Sequence, residues 1–144
     1  MNALLSLMIA VTLVGCVPFP TYKTLQPSAS MTVLDQAGKP VGGANVELIN
    51  SSYPYGRERF RTTGQTQPDG TIAFTKVTEW RVEMPFMIHG MEVFFWNWCV
   101  SKEGYQTVQT RYANSNEFSP EALLTLSPGN ATTCSDMDRW AGPT

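Results

Sequence analysis

From Met31 onward the chain alternates with period two. Met31-Thr32-Val33-Leu34 reads as a short strand that breaks at Asp35-Gln36-Ala37-Gly38-Lys39-Pro40. There Gly38 can take a positive φ, and Pro40 presets its own. Ala44, Val46 and Leu48 then alternate with Asn45 and Glu47, the mark of a strand with one buried face. Ser51 to Gly56 reads as a polar and aromatic loop, and Arg57 to Gln65 alternates again. Pro68-Asp69-Gly70 precedes Thr71-Ile72-Ala73-Phe74, and Asp-Gly between two such runs is a hairpin signal. Met91 to Val100 carries Phe94, Phe95, Trp96 and Trp98 and is apolar on both faces, which predicts a central strand. Lys102-Glu103-Gly104 turns the chain into a further strand over Tyr105 to Tyr112, and Ala122 to Leu126 supplies the last. Helical spacing is weak throughout. The pattern predicts an all-β domain of about seven antiparallel strands in two sheets, because each sheet has one apolar face to hide.

The N-terminus follows a different rule. Ala3 to Val14 is apolar, broken only by Ser6 and Thr12. The run is too short for a bilayer core of ~30 Å, which takes roughly 20 helical residues, and it has the length of a signal-peptide core. Leu13-Val14-Gly15-Cys16 ends it and resembles the lipobox of bacterial lipoproteins. The resemblance implies removal of residues 1–15 and lipidation of Cys16, with a diacylglycerol on the sulfur and a palmitate-type chain on the amine. One acyl chain anchors only marginally, whereas several hold a protein in place. Val17 stands where an Asp would favour the inner membrane, so the resemblance implies the periplasmic side of the outer membrane. Only Met1 and Asn2 precede the apolar run, so the initiator amine supplies its positive charge; an ordinary buried N-terminal helix is the competing reading. Residues 16–29, with Pro18, Pro20 and Pro27, read as the lipidated cysteine and an extended linker, unless Tyr22 to Leu25 packs on the domain.

Composition narrows the function classes. The net charge is −2, which gives no electrostatic basis for binding nucleic acid. Of three cysteines, Cys99 and Cys134 remain once Cys16 is assigned to lipid. An even number in an exported chain reads as a disulfide, with two free thiols as the alternative. No Cys/His spacing predicts zinc and no carboxylate spacing predicts calcium, so neither a metal nor a cofactor is expected. A single histidine, His89, lacks the context of a Ser-His-Asp set.

The run Val33-Leu34-Asp35-Gln36-Ala37-Gly38-Lys39-Pro40-Val41-Gly42-Gly43-Ala44-Asn45-Val46 resembles the opening of carboxypeptidase-regulatory-like domains. Thr66-Gln67-Pro68-Asp69-Gly70 and Cys99-Val100-Ser101-Lys102-Glu103-Gly104-Tyr105 match that family's Asp-Gly and Gly-Tyr turns. The resemblance covers residues 30–127 and leaves 128–144 as a C-terminal tail. It implies a seven-stranded transthyretin-like, Ig-like sandwich and an accessory or scaffolding role, with no catalytic residue to transfer. Hydroxyisourate hydrolases share that fold but need several histidines, so the expectation is a non-catalytic, lipid-anchored binding module. An inhibitor or envelope-polymer-binding lipoprotein is the alternative. Two surfaces are candidates for an unknown protein or envelope partner. In one, Tyr53, Tyr55, Arg57, Arg59 and Arg61 would present three arginines on one strand face, unless that face is merely solvated. In the other, Trp80 to His89, with Met84, Pro85, Phe86 and Met87, would form an apolar docking loop, unless it closes one end of the domain.

Overall fold

A computed structural model describes residues 18–53, 57–83 and 91–134. The chain is all-β. Among the described residues nine strands follow in order: β1 Phe19–Gln26, β2 Ala29–Asp35, β3 Asn45–Tyr53, β4 Arg57–Gln65, β5 Thr71–Phe74, β6 Val77–Glu83, β7 Val93–Ser101, β8 Val108–Gln109 and β9 Glu121–Leu126. They form three sheets, with orders β5-β2-β9, β4-β3-β7-β8 and β1-β6.

Alternation builds the core as expected. Ala29, Met31 and Val33 from β2, Val46 and Leu48 from β3, Ile72 and Phe74 from β5, and Trp98 and Val100 from β7 are buried in one cluster with Leu126 of β9. The three- and four-stranded sheets therefore hide their apolar faces against a common core. The apolar character of β7 on both faces has its reason: it is an interior strand, between β3 and β8.

The turns follow local chemistry. Asp35 Oδ1 accepts from the backbone N–H groups of Ala37 and Lys39, each at 2.9 Å, and Gly38 completes the turn at φ 77°. Gly70 has φ 78°, and a Cβ there would lie 2.5 Å from the Val33 carbonyl oxygen. Only glycine fits both the backbone and the space. Asp69 Oδ1 accepts from the Thr71 hydroxyl at 2.7 Å and the Thr71 N–H at 2.9 Å. Chiefly the hydroxyl bond, and then the N–H bond, holds the Asp69 carboxyl below its ordinary value of 3.8. A carboxyl depressed in the folded state adds stability above its unfolded pKa and loses it as pH falls through the folded value. Denaturant titrations from pH 6 to pH 2 are therefore expected to show a smaller loss of stability for Asp69→Asn than for wild type. Equal losses would refute this role.

Four expectations are corrected. The strand count exceeds seven. The sheets are not wholly antiparallel, because β2 and β9 pair in parallel, with Ser30 opposite Glu121 and Asp35 opposite Leu126; alternation carries no direction. Residues 19–26, read as linker, form β1 and pair with β6 from Phe19↔Glu83 to Gln26↔Val77, so β1 is built into the domain. Pro20 is tolerated because β1 pairs on one side only. The strand expected over Tyr105 to Tyr112 is reduced to Val108–Gln109; beyond it Thr110 N still donates to the Trp98 carbonyl at 2.9 Å, but side chains take part in the remaining bonds to β7. Asn97 Oδ1 accepts from Tyr112 N at 2.6 Å, and Thr110 Oγ1 accepts from Trp98 N at 2.8 Å.

Candidate functional site

Cys99 lies on the face of β7 turned away from the main core, opposite Glu47 of β3. It is joined to Cys134 by a disulfide with Cα atoms 6.0 Å apart. The bridge draws residues 131–134 over the end of the four-stranded sheet, and Thr132 fixes the approach through its N–H to Thr107 Oγ1 at 2.9 Å. Between this segment and the sheet lies an open groove of about 650 Å³, lined by Gly43, Asn45, Glu47, Lys102 and Glu103 among others. Two of its charged side chains, Glu47 and Lys102, are engaged in holding the fold. Glu47 accepts from Arg61 at 2.6 Å and from Asn45 at 3.2 Å, and Lys102 Nζ donates to the Gly43 carbonyl at 3.3 Å. Among the described residues no cluster of three or more His, Cys, Asp or Glu side chains is arranged to hold a metal.

The arginine surface differs from expectation. Arg61 is tied to Glu47 across β3 and β4 by an ion pair. The period-two count that put Arg57, Arg59 and Arg61 on one face is also broken. Asn50 opposes Phe60 while Ser51 opposes Glu58, so Arg59 is the extra residue of a β-bulge, which re-aims the strand. Tyr53 ends β3, exposed and opposite the exposed Val93. The side chains of Arg57 and Arg59 lie outside the described residues, as do Tyr55, His89, the segment 84–90 and Cys16 with residues 1–15 before it.

Sequence reasoning missed a third surface, the two faces of the β1–β6 ribbon. One face carries Phe19, Thr21, Lys23, Glu79, Arg81 and Glu83; Lys23, Arg81 and Glu83 turn toward β7, whereas Phe19 and Glu79 stay exposed. Lys23 Nζ lies 2.7 Å from Glu83 Oε1 and donates to the Glu92 carbonyl at 3.1 Å. Arg81 pairs with Glu92 at 2.8 Å and sits 5.5 Å from the centre of the Phe94 ring. Further along, the Leu25 carbonyl accepts from Trp96 Nε1 at 2.6 Å and from the Asn50 amide. The buried Gln26 side chain accepts from Thr62 at 2.7 Å and donates to the Thr75 carbonyl at 2.9 Å.

The other face carries Pro20, Tyr22, Thr24, Thr78, Trp80 and Val82 and holds no charge. Tyr22 is 57% exposed, Trp80 67% and Val82 71%. The Tyr22 and Trp80 rings meet with centroids 5.2 Å apart. The ribbon thus reverses the usual arrangement: its ion pairs face the domain and its aromatic side faces out. The alternation of Glu79, Arg81 and Glu83 with Thr78, Trp80 and Val82 was a readable strand signal, but its partner lay in the stretch read as linker.

The inward charges make a testable demand. Glu83 is buried and Lys23 largely so, so removing the ammonium leaves a carboxylate facing the domain without its counter-ion. Lys23→Met is expected to cost about 2 kcal/mol in urea denaturation, with Glu83→Gln recovering part of the loss in the double variant. Additive single effects would disprove the coupling.

No family model matches this chain, and no curated protein or solved structure matches it significantly.

Proposed function

We propose that the protein is a non-catalytic lipoprotein of the outer membrane, held on the periplasmic side by acyl chains on Cys16 and presenting a transthyretin-like β-sandwich as a binding or scaffolding module. The Leu13-Val14-Gly15-Cys16 motif carries this reading. It follows an apolar run of signal-peptide length and ends three positions before Phe19, where the first strand begins. The Cys99–Cys134 disulfide supports an oxidising compartment. Two facing sheets with a shared core support the sandwich, and the turns at Gly38, Gly70 and Gly104 support its resemblance to carboxypeptidase-regulatory-like domains. The partner is a protein or an envelope polymer met by exposed loop and edge surfaces around Tyr53 and β4.

Intact-mass analysis of the protein extracted from its own envelope tests the anchor. The expected chain starts at Cys16, carries acyl chains and holds one disulfide, and Cys16→Ala shifts the protein to the soluble fraction. An uncleaved N-terminus with an unmodified Cys16 thiol would sink the proposal. A mild-detergent pull-down, followed by binding assays on isolated envelope polymers, then identifies the partner.

A further inference from the structure

We infer that the outward face of the β1–β6 ribbon is a membrane-contacting surface, seated at the boundary between lipid headgroups and acyl chains of the bilayer that holds Cys16. The inference rests on the lipid anchor proposed above and goes beyond it, because an anchor alone leaves the orientation of the domain free. Chain length removes that freedom. Val17 and Pro18 are the only residues between Cys16 and the start of β1 at Phe19. Three residue steps span at most about 11 Å, and acyl chains on Cys16 hold it at the bilayer surface. Headgroup regions are several ångströms deep, so β1 begins within or against them.

The ribbon's composition fits that place. Pro20, Tyr22, Thr24, Thr78, Trp80 and Val82 carry no charge and share one face. Trp and Tyr concentrate at membrane–water interfaces because each ring has an apolar body and a polar tip. The Tyr22 hydroxyl is already paired with Thr78 Oγ1 at 2.5 Å, which lowers the cost of seating it among the headgroups. The charges of Lys23, Glu79, Arg81 and Glu83 all occupy the opposite face, where Lys23, Arg81 and Glu83 turn toward the domain and Glu79 stays exposed beside Arg81, so the outward face carries no charge to desolvate. An uncharged face on a two-stranded ribbon also limits depth. Among the described residues no further strand pairs with the outer edge of β1 or β6, and open strand edges can be hydrated by the interface but not by the hydrocarbon core.

The acylated full-length protein, reconstituted into phosphatidylethanolamine/phosphatidylglycerol vesicles containing phosphatidylcholine brominated near the headgroup, provides the test. Trp80 is the exposed tryptophan of the described residues, whereas Trp98 is buried and Trp96 largely so. The emission lost in Trp80→Phe reports the Trp80 signal. That signal is expected to fall by half or more with brominated lipid, and its quenching by aqueous acrylamide to drop at least twofold on reconstitution. Val82→Asp, which keeps Trp80 but places a charge beside it, is expected to weaken the lipid quenching. It serves as the second variant should Trp80→Phe misfold. An acylated chain whose Trp80 is untouched by brominated lipid and open to acrylamide overturns the inference and leaves the anchor standing. Trp80 shielded from both quenchers means that a second copy covers the ribbon, which also overturns it. A mass without acyl chains on Cys16 removes the anchor and this inference together.

Discussion

Trp98→Ala is expected to destabilise the domain by about 3–5 kcal/mol, the usual cost of emptying a large aromatic site. Trp98 is 2% exposed and stands where the two larger sheets meet. Its ring lies 5.9 Å from Phe74 of β5 and 5.6 Å from Phe118, the latter stacked at 24°. Phe118 in turn contacts Trp96 at 5.6 Å. Alanine would therefore open a cavity between elements that are all anchored elsewhere and cannot collapse into it. Domains are stable by roughly 5–15 kcal/mol in total, so the loss is a large share. Trp98→Phe separates packing from polarity. The indole Nε1 is buried with no hydrogen-bond partner among the described residues, and phenylalanine removes that desolvated donor while keeping most of the ring. Its expected cost is below about 1.5 kcal/mol. Urea denaturation followed by circular dichroism measures both. A loss under about 1 kcal/mol for the alanine variant would show that Trp98 does not bridge the sheets.

Breaking the disulfide is expected to cost a comparable amount by a different route. Cys99 and Cys134 are 35 positions apart, and closing a loop of that size removes denatured-state entropy worth roughly 3–4 kcal/mol. Among the described residues the other bonds that hold residues 127–134 include Gln106 N to Ser127 O at 2.9 Å, Gln36 Nε2 to Ser127 Oγ at 3.1 Å, Gly129 N to Gly104 O at 3.0 Å and the Thr132–Thr107 pair. The alanine pair Cys99→Ala/Cys134→Ala avoids placing a hydroxyl at the buried Cys99 site. The variant is expected to lose roughly 3–4 kcal/mol in urea, with the core strands intact and residues 129–134 gaining proteolytic sensitivity. Wild type in dithiothreitol should match it. A change below about 1 kcal/mol in both experiments would mean that the tail is held without the bridge.

Much of the fold was legible because it is local. Val46 and Leu48 alternate with Asn45 and Glu47, and that pattern buries two and turns the others away whatever the partner strand. Asp35 and Asp69 announce their turns because each carboxylate reaches backbone N–H groups two or four residues on. The pairing of Cys99 with Cys134 was open to elimination once Cys16 was set aside. The arginine surface was less legible. Counting by twos cannot anticipate the bulge at Arg59, and nothing near Arg61 in the chain shows that Glu47 will neutralise it.

By itself, then, the sequence determined the all-β character, the main turns and the apolar seams of β2, β3, β5 and β7. Each depends on neighbours a few residues apart. Only the tertiary structure decided that β9 runs parallel to β2, that Asn97 and Thr110 take over from β8, and that the proline-bearing residues 19–26 form a strand. It also decided that the β1–β6 ribbon turns its ions inward and its aromatics outward. Alternation separates two faces but does not say which one the domain claims. Lys23, Arg81, Glu83 and Glu92 meet across as many as 69 residues of chain, and their mutual attraction at the body of the domain sets the choice.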